Sequence, residues 1–180
     1  MQLQKTKFEG LLLLQPNIYK DDRGAFLESW NSDTFRKLNL DISFLQDNQS
    51  MSHKNVLRGL HFQKEPHAQG KLVRVTRGSA LDVVVDMRRE SKTFGEHFKI
   101  KLNSEKGNMM WIPAGFAHGF VALENNTVFQ YKCDGVYHPD AEECLLWNDP
   151  ELKIDWGVKD PIVSSKDQQG KLLKEIDTLF

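Results

Sequence analysis

The sequence predicts a mainly β protein, an antiparallel jelly roll with short flanking helices. From about Ile42 to Lys132 the chain breaks into short β-branched and aromatic runs separated by Gly, Asn or Pro, the spacing of a sandwich or barrel. Helical periodicity is confined to the two flanks. No internal repeat, low-complexity tract or linker interrupts the chain, which argues against a solenoid or a multi-part array.

In chain order, Phe26 to Trp30 is the first candidate strand of ordinary length,. Ser32 or Asp33 then stands where a helix cap belongs, predicting a short helix through Leu38,. Ile42 to Asn48 is the next strand. Lys71–Arg77, a Gly78-Ser79 turn and Ala80–Asp86 together predict a hairpin,. In its second strand Leu81, Val83 and Val85 share one face and Asp82, Val84 and Asp86 the other,. Strands are predicted at His97–Leu102, Asn108–Ile112 and Thr127–Cys133, and Lys171 to Leu179 carries apolar residues at helical spacing,.

The 180 residues, 39% of them hydrophobic, predict one domain over 1–180 around one core,. Lys plus Arg total 24 and Asp plus Glu 25, a formal net charge of −1. Such balance points to neither nucleic acid nor a membrane surface, so an anionic ligand must be met by local charge. The two cysteines, Cys133 and Cys144, fit neither a disulfide framework nor a zinc ribbon,. The amino terminus opens without an apolar leader, and the run Leu11 to Leu14 is too short to span a bilayer,. These features predict a cytoplasmic protein.

The chemistry is concentrated in two segments. Gly107 to His118, with Pro113 and Gly115 between them, has the G-x5-P-x-G-x2-H spacing of the second cupin motif. In metal-binding cupins that His joins two more histidines and a Glu, because a transition metal needs several convergent N and O ligands. The earlier segment here is Arg58-Gly-Leu-His61-Phe-Gln63, with Gln63 where the second His would stand. A Gln carbonyl is a poor substitute for imidazole, so the sequence predicts the pocket without the metal.

Several spaced blocks then occur in order: Asp22-Arg23-Gly-Ala-Phe-Leu-Glu28, Gln46-Asp-Asn-Gln-Ser50, Val56-Leu-Arg-Gly-Leu-His-Phe-Gln63, Gln69-Gly-Lys-Leu-Val-Arg74 and Ile112-Pro-Ala-Gly-Phe-Ala-His-Gly-Phe120. With Tyr131, Tyr137, Trp147-Asn-Asp-Pro150 and Ser165-Lys-Asp167, the chain resembles the dTDP-4-dehydrorhamnose 3,5-epimerase family over nearly its whole length. The resemblance implies a cupin-type jelly roll, a homodimer, no cofactor, and inversion of the carbons flanking the ketone of a dTDP-4-keto-6-deoxyhexose in dTDP-L-rhamnose synthesis.

That chemistry needs a base on one face of a weakly acidic C–H, a charge near the forming enolate oxygen, and an acid on the opposite face. The resemblance gives His61 the role of base with Asp167 as its partner, Lys71 the enolate charge, and Tyr131 the acid. Neutral imidazole accepts a proton near pH 7, and a carboxylate behind it stabilises the imidazolium. It further implies that Arg23, Glu28, Gln46, Asn48, Arg58, His118, Glu142 and Lys166 meet the diphosphate and sugar, and that Tyr137 stacks on the thymine ring. Taken singly, these residues have plain alternatives: a core histidine, a strand-edge lysine, a buried tyrosine and ordinary surface charges. Glu143, next to Glu142, is an alternative contact. A single-centre epimerase and a ketoisomerase share the pocket, although ketoisomerase relatives keep a second His where Gln63 stands. A non-catalytic or metal-binding cupin is the reading from another class.

Overall fold

The protein is seen in a computed structural model that describes residues 1–177 and 180. Two antiparallel sheets face each other. The first contains β1 (Gln2–Lys5), β2 (Leu12–Gln15), β5 (Gln46–Ser52), β7 (Lys71–Arg77), β10 (Met109–Ile112) and β12 (Thr127–Cys133), in the order β1-β2-β10-β7-β12-β5. The second has the order β13-β6-β11-β8-β9, from β6 (Val56–Gln63), β8 (Ser79–Asp86), β9 (His97–Asn103), β11 (Phe116–Ala122) and β13 (Glu142–Cys144). A short parallel strand, β14 (Ile162–Val163), is added against β6. The remaining strands, β3 (Ile18–Asp21) and β4 (Gly24–Leu27), form a separate two-stranded ribbon. This is the antiparallel jelly roll expected from the sequence.

Period-two alternation builds the interior. Along β11, Phe116 and Phe120 enter the core between the sheets, whereas Ala117 and Val121 join a second cluster on the outer face of the second sheet. Leu152, Trp156 and Ile176 from the carboxy-terminal segment cover that outer face. Between the sheets, Phe129 is fully buried and stacks on Phe120 with ring centroids 4.0 Å apart. Such a contact contributes about 0.5–1.5 kcal/mol beyond the area it buries.

The hairpin expected from Lys71 to Asp86 does not form. β7 lies between β10 and β12, β8 between β11 and β9, and Gly78, at φ +76, carries the chain from one sheet to the other. The reason is that both strands have an apolar inward face: Val73 and Val75 meet Ala80 and Val84 in the same core. Stacking across the sandwich buries both faces, which pairing side by side would not. The two expected faces of β8 are observed, but both are buried, with Val83 and Val85 turned to the outer cluster.

Smaller differences have local causes. The first helix, α1 (Ser32–Lys37), is capped by Asn31, whose side chain accepts from the Asp33 and Thr34 N–H groups,. β4 ends at Leu27, and Trp30 instead packs edge-on against Phe44 at 5.5 Å. Ile42 and Phe44 cover the outer face of the first sheet without joining a ladder, so β5 begins only at Gln46. The stretch Lys171–Leu179 is not a regular helix: Lys171 bridges to Leu145 and one 3-10 turn follows at Leu173–Glu175. Thr178 and Leu179 lie outside the described residues. A helical turn not expected from the sequence, α2 (Ser165–Gln168), carries Asp167. No helix among the described residues is long and apolar enough to cross a membrane.

Candidate active site

A cavity of about 640 Å³ opens between the two sheets. Its second-sheet wall is shaped by an irregularity in β6. Across from β11, His61 pairs with His118 but Arg58 pairs with Phe120, so three steps on one strand match two on the other. Gly59, at φ +119, absorbs the extra residue; a Cβ there would lie 2.5 Å from the Gly119 Cα. Bulges of this kind re-aim side chains. Here Leu57, Leu60 and Phe62 all turn to the outer cluster, while Arg58, His61 and Gln63 line the cavity.

Asp167 is brought to His61 by three local features. β14 runs parallel beside β6, Ser164 caps α2 by accepting the Asp167 N–H, and the Gly59 N–H donates to Asp167 Oδ2 at 3.2 Å. Asp167 Oδ1 then lies 2.7 Å from His61 Nε2. Burial pushes the Asp167 carboxyl up, but bonds from His61, Gly59 and Ser164 outweigh it and hold its pKa below the ordinary value,. An ionised Asp167 fixes the proton on Nε2 and leaves the Nδ1 lone pair of His61 to accept another.

The opposite wall comes from the first sheet. Tyr131 on β12 pairs with Asn48 on β5 and Val73 on β7. Burial raises its phenol above the ordinary value, which keeps it protonated and able to donate,. Lys71 on β7 donates from Nζ to the His61 carbonyl at 3.4 Å. Burial lowers its ammonium pKa, against the opposing pull of Cys133, Glu142 and Asp82.

The rim is polar. Tyr137 Oη donates to Glu142 Oε2 at 2.8 Å, and Lys166 bonds the same oxygen. Burial pushes Glu142 up, yet those two bonds prevail and its pKa is lowered. Gln46 donates to Asn48 Oδ1 at 3.1 Å, and Arg58 Nε donates to Ser52 Oγ at 3.1 Å. Glu143, the alternative to Glu142, is instead paired with Lys64 and Lys171 and does not line the cavity.

Of the site residues expected from the sequence, Gln46, Asn48, Arg58, His61, Lys71, His118, Tyr131, Tyr137, Glu142, Lys166 and Asp167 all line this cavity. Arg23 and Glu28 do not. Arg23 sits at the tip of the β3–β4 ribbon, 90% exposed and paired with Asp21. Glu28 accepts from Thr34 Oγ1 at 2.9 Å.

The structure adds residues that sequence reasoning missed. Asp82 is fully buried and accepts from His118 Nε2 through both oxygens, at 3.1 and 3.0 Å. A carboxylate within the apolar run Ala80-Leu-Asp-Val-Val-Val was the signal for it, since a buried charge needs a partner,. Cys144 lies 4.0 Å from Asp167 Oδ1. It follows Glu142-Glu143 in sequence, but its approach to Asp167, 23 residues away, left no mark on the chain.

His61, Cys144 and Asp167 also place their donor atoms within 4.8 Å of one another, the spacing of a metal cluster. Burial, with Asp167 close by, pushes the Cys144 thiol up to about 12, so it stays protonated, and a thiol ligates metal only as thiolate,. Gln63, at the position of a cupin metal ligand, has both ends of its amide committed to backbone groups. The donor set therefore fits an acid–base site better than a metal centre.

An imidazole backed by an ionised carboxylate on one sheet, facing a protonated phenol and a lysine on the other, defines an acid–base enzyme of the cupin kind. Comparison with known proteins narrows the class. The profile of the dTDP-4-dehydrorhamnose 3,5-epimerase family matches residues 5–175. A dTDP-4-dehydrorhamnose 3,5-epimerase of Pseudomonas aeruginosa is 48% identical over 179 residues, 98% of each chain. The crystal structure of dTDP-6-deoxy-D-glucose-3,5-epimerase from Legionella pneumophila, in complex with dTDP-4-keto-L-rhamnose, superposes with a TM-score of 0.93 at 43% identity, covering 98% of this chain and 94% of that one. A 3'-monoepimerase from Streptomyces bikiniensis, in complex with dTDP-quinovose, has a TM-score of 0.89 at 32% identity, covering 94% and 86%. The chain belongs to the dTDP-4-dehydrorhamnose 3,5-epimerase family.

Proposed function

We propose that the chain, folded as one domain over 1–180, inverts both carbons flanking the ketone of dTDP-4-keto-6-deoxy-D-glucose, with His61 as base and Tyr131 as acid. The activity is that of an isomerase, a dTDP-4-dehydrorhamnose 3,5-epimerase of dTDP-L-rhamnose biosynthesis, in keeping with family and full-length relatives. One observation carries the assignment of roles: His61 with Asp167 and Tyr131 with Lys71 stand on opposed sheets across one cavity.

At each centre the His61 Nδ1 lone pair takes the proton next to the ketone, and the C–H electron pair moves into an enolate. The resulting imidazolium is stabilised by Asp167. Lys71 stabilises the negative oxygen, which a fixed cation does strongly in a dry site. Tyr131 then delivers a proton to the other face of the same carbon, and His61 and Tyr131 exchange protons with solvent to reset. No cofactor enters these steps. Gln46, Asn48, Arg58, His118, Glu142 and Lys166 hold the sugar and diphosphate, and Tyr137 stacks on the thymine.

A cytoplasmic homodimer completes the proposal. The β3–β4 ribbon exposes Tyr19 and Phe26, and Leu45 and Met51 are exposed at the β5 edge of the first sheet. Unpaired strand edges and exposed aromatics favour closure against a second copy. In that dimer Arg23 and Glu28 serve the cavity of the partner rather than their own, which reconciles their expected role with their position.

The test is turnover of dTDP-4-keto-6-deoxy-D-glucose in deuterated water, coupled to the next-step reductase and NADPH. Deuterium at both carbons together with NADPH oxidation is the expected result. Deuterium at one carbon only would replace double inversion by the single-centre activity named for the Streptomyces bikiniensis neighbour.

A further inference from the structure

Residues 135–138, which carry Tyr137, are held in an unusual way. Val136 and Tyr137 are exposed, so the segment has little apolar packing to fix it. Three glutamine side chains bond its backbone instead. Gln69 Nε2 donates to the Gly135 carbonyl at 2.7 Å, and Gln63 Nε2 donates to the Val136 carbonyl at 3.3 Å. The Tyr137 N–H donates to Gln46 Oε1 at 2.8 Å, and the His138 N–H donates to Gln63 Oε1 at 2.6 Å. Four consecutive residues are thus each tied through one main-chain group.

Gln63 is the centre of this arrangement. It is 5% exposed, and its Nε2 also donates to the His67 carbonyl at 2.6 Å. It thereby joins residues 135–138 to the neighbouring loop, whose His67 ring stacks on His138 with centroids 3.6 Å apart. A side chain that must accept from one N–H and donate to two carbonyls has to be an amide; histidine, glutamate or leucine cannot satisfy all three.

We infer that Gln63 and Gln69 are positioning residues that pre-organise Tyr137 as a platform for the nucleobase, so that the position of a lost cupin metal ligand now serves substrate affinity. The inference rests on the proposed stacking role of Tyr137. A ring held in place before the ligand arrives avoids the ordering cost that a loose loop would impose on binding. The clamp lies at the mouth and touches neither the His61 imidazole nor the Tyr131 hydroxyl, so its loss affects binding and leaves the chemical step alone.

The experiment compares Gln63→Leu, Gln69→Leu, Tyr137→Ala and the double variant Gln69→Leu/Tyr137→Ala. Affinity for dTDP is measured by calorimetry, kcat and KM by the coupled assay, and folding by circular dichroism. Each glutamine variant is expected to raise KM and the dTDP Kd about threefold to thirtyfold, the weight of one or two hydrogen bonds, with kcat within about twofold. With Tyr137 already removed, Gln69→Leu should add less than about twofold, because the clamp acts through that ring. A full additional loss in the double variant, or a fall in kcat at unchanged KM, overturns the inference. Should Gln63→Leu not fold, the milder Gln69→Leu pair decides the matter. If Tyr137→Ala leaves dTDP affinity unchanged, the stacking role falls and the clamp with it; if only the glutamine variants are silent, the clamp alone falls.

Discussion

On β6, His61 meets Asp167 at 2.7 Å with 29% of its side chain exposed; directly across on β11, His118 meets Asp82 at 3.0 and 3.1 Å with 8% exposed. The two pairs have the same composition and share one cavity. Their carboxylates are treated oppositely. Burial pushes both up, but the Asp167 carboxylate is bonded by His61, accepts from the Gly59 N–H and is further lowered by the Ser164 side chain, and it ends below its ordinary value, whereas Asp82 has only His118 and Lys71 to offset burial and stays above it. An ionised, supported Asp167 can stabilise a new imidazolium each turnover. A desolvated Asp82 makes charge separation costly, so that pair suits holding a ring in place rather than cycling protons. Solvent access and backbone donors, rather than residue type, separate the proposed base from the proposed anchor.

Replacing each histidine tests this contrast most directly. His61→Ala should lower kcat by about 10³ or more, within the range of general acid–base catalysis. His118→Asn should act mainly on KM, by about tenfold, as loss of one or two ligand hydrogen bonds does. Steady-state kinetics of both variants would reverse the assignment if His118→Asn stopped deuterium exchange while His61→Ala retained it. Tyr131→Phe comes next, with an expected loss of about 10² in epimerisation. Because His61 still removes and returns the proton on its own face, solvent exchange should survive better than inversion. Equal loss of exchange and inversion, followed by NMR in deuterated water, would place Tyr131 in proton abstraction as well.

The base side of this comparison was legible in the sequence; of the anchor side, His118 was legible from its motif and Asp82 was not. His61, Lys71, Tyr131 and Asp167 stand in blocks whose order along the chain carries the family resemblance, and the cavity gathers all four. Strand positions were also readable, because β7, β9, β10 and β12 fall in the expected windows. Which sheet each strand joins was not. Local pattern reports that Lys71–Arg77 and Ser79–Asp86 are strands, but only the apolar faces of the rest of the chain decide that they stack instead of pairing. Asp82 escaped for the same reason: its partner, His118, is 36 residues away. The clamp of Gln63 and Gln69 depends on backbone groups of residues 135–138, and backbone hydrogen bonding leaves no mark on residue type. Arg23 and Glu28, which do not line the cavity, illustrate a further limit: under the proposed dimer they serve a second copy, and such a residue is indistinguishable in sequence from one that serves its own chain.

The smallest expected effect is on stability, and its sign differs between the two carboxylates. Asp167 has a folded-state pKa below its unfolded value, so its stabilising contribution is present above about pH 4 and is lost as pH falls through the folded pKa,. Asp167→Asn should therefore lower the melting temperature at pH 7, by roughly 3 °C for a chain of this size, and the gap to wild type should narrow on acidification. Asp82 has its folded pKa raised, so ionising it opposes folding as pH rises through and above the unfolded value,. Asp82→Asn keeps an oxygen acceptor for His118 Nε2 and removes that cost, so its melting temperature at pH 7 should equal or exceed that of wild type, with the difference fading toward acid. Thermal melts of the two variants from about pH 2 to pH 8 read both signs at once. A drop of several degrees in Asp82→Asn at neutral pH would mean that the buried charge itself holds the second pair together, and the contrast between base and anchor would then rest on exposure alone.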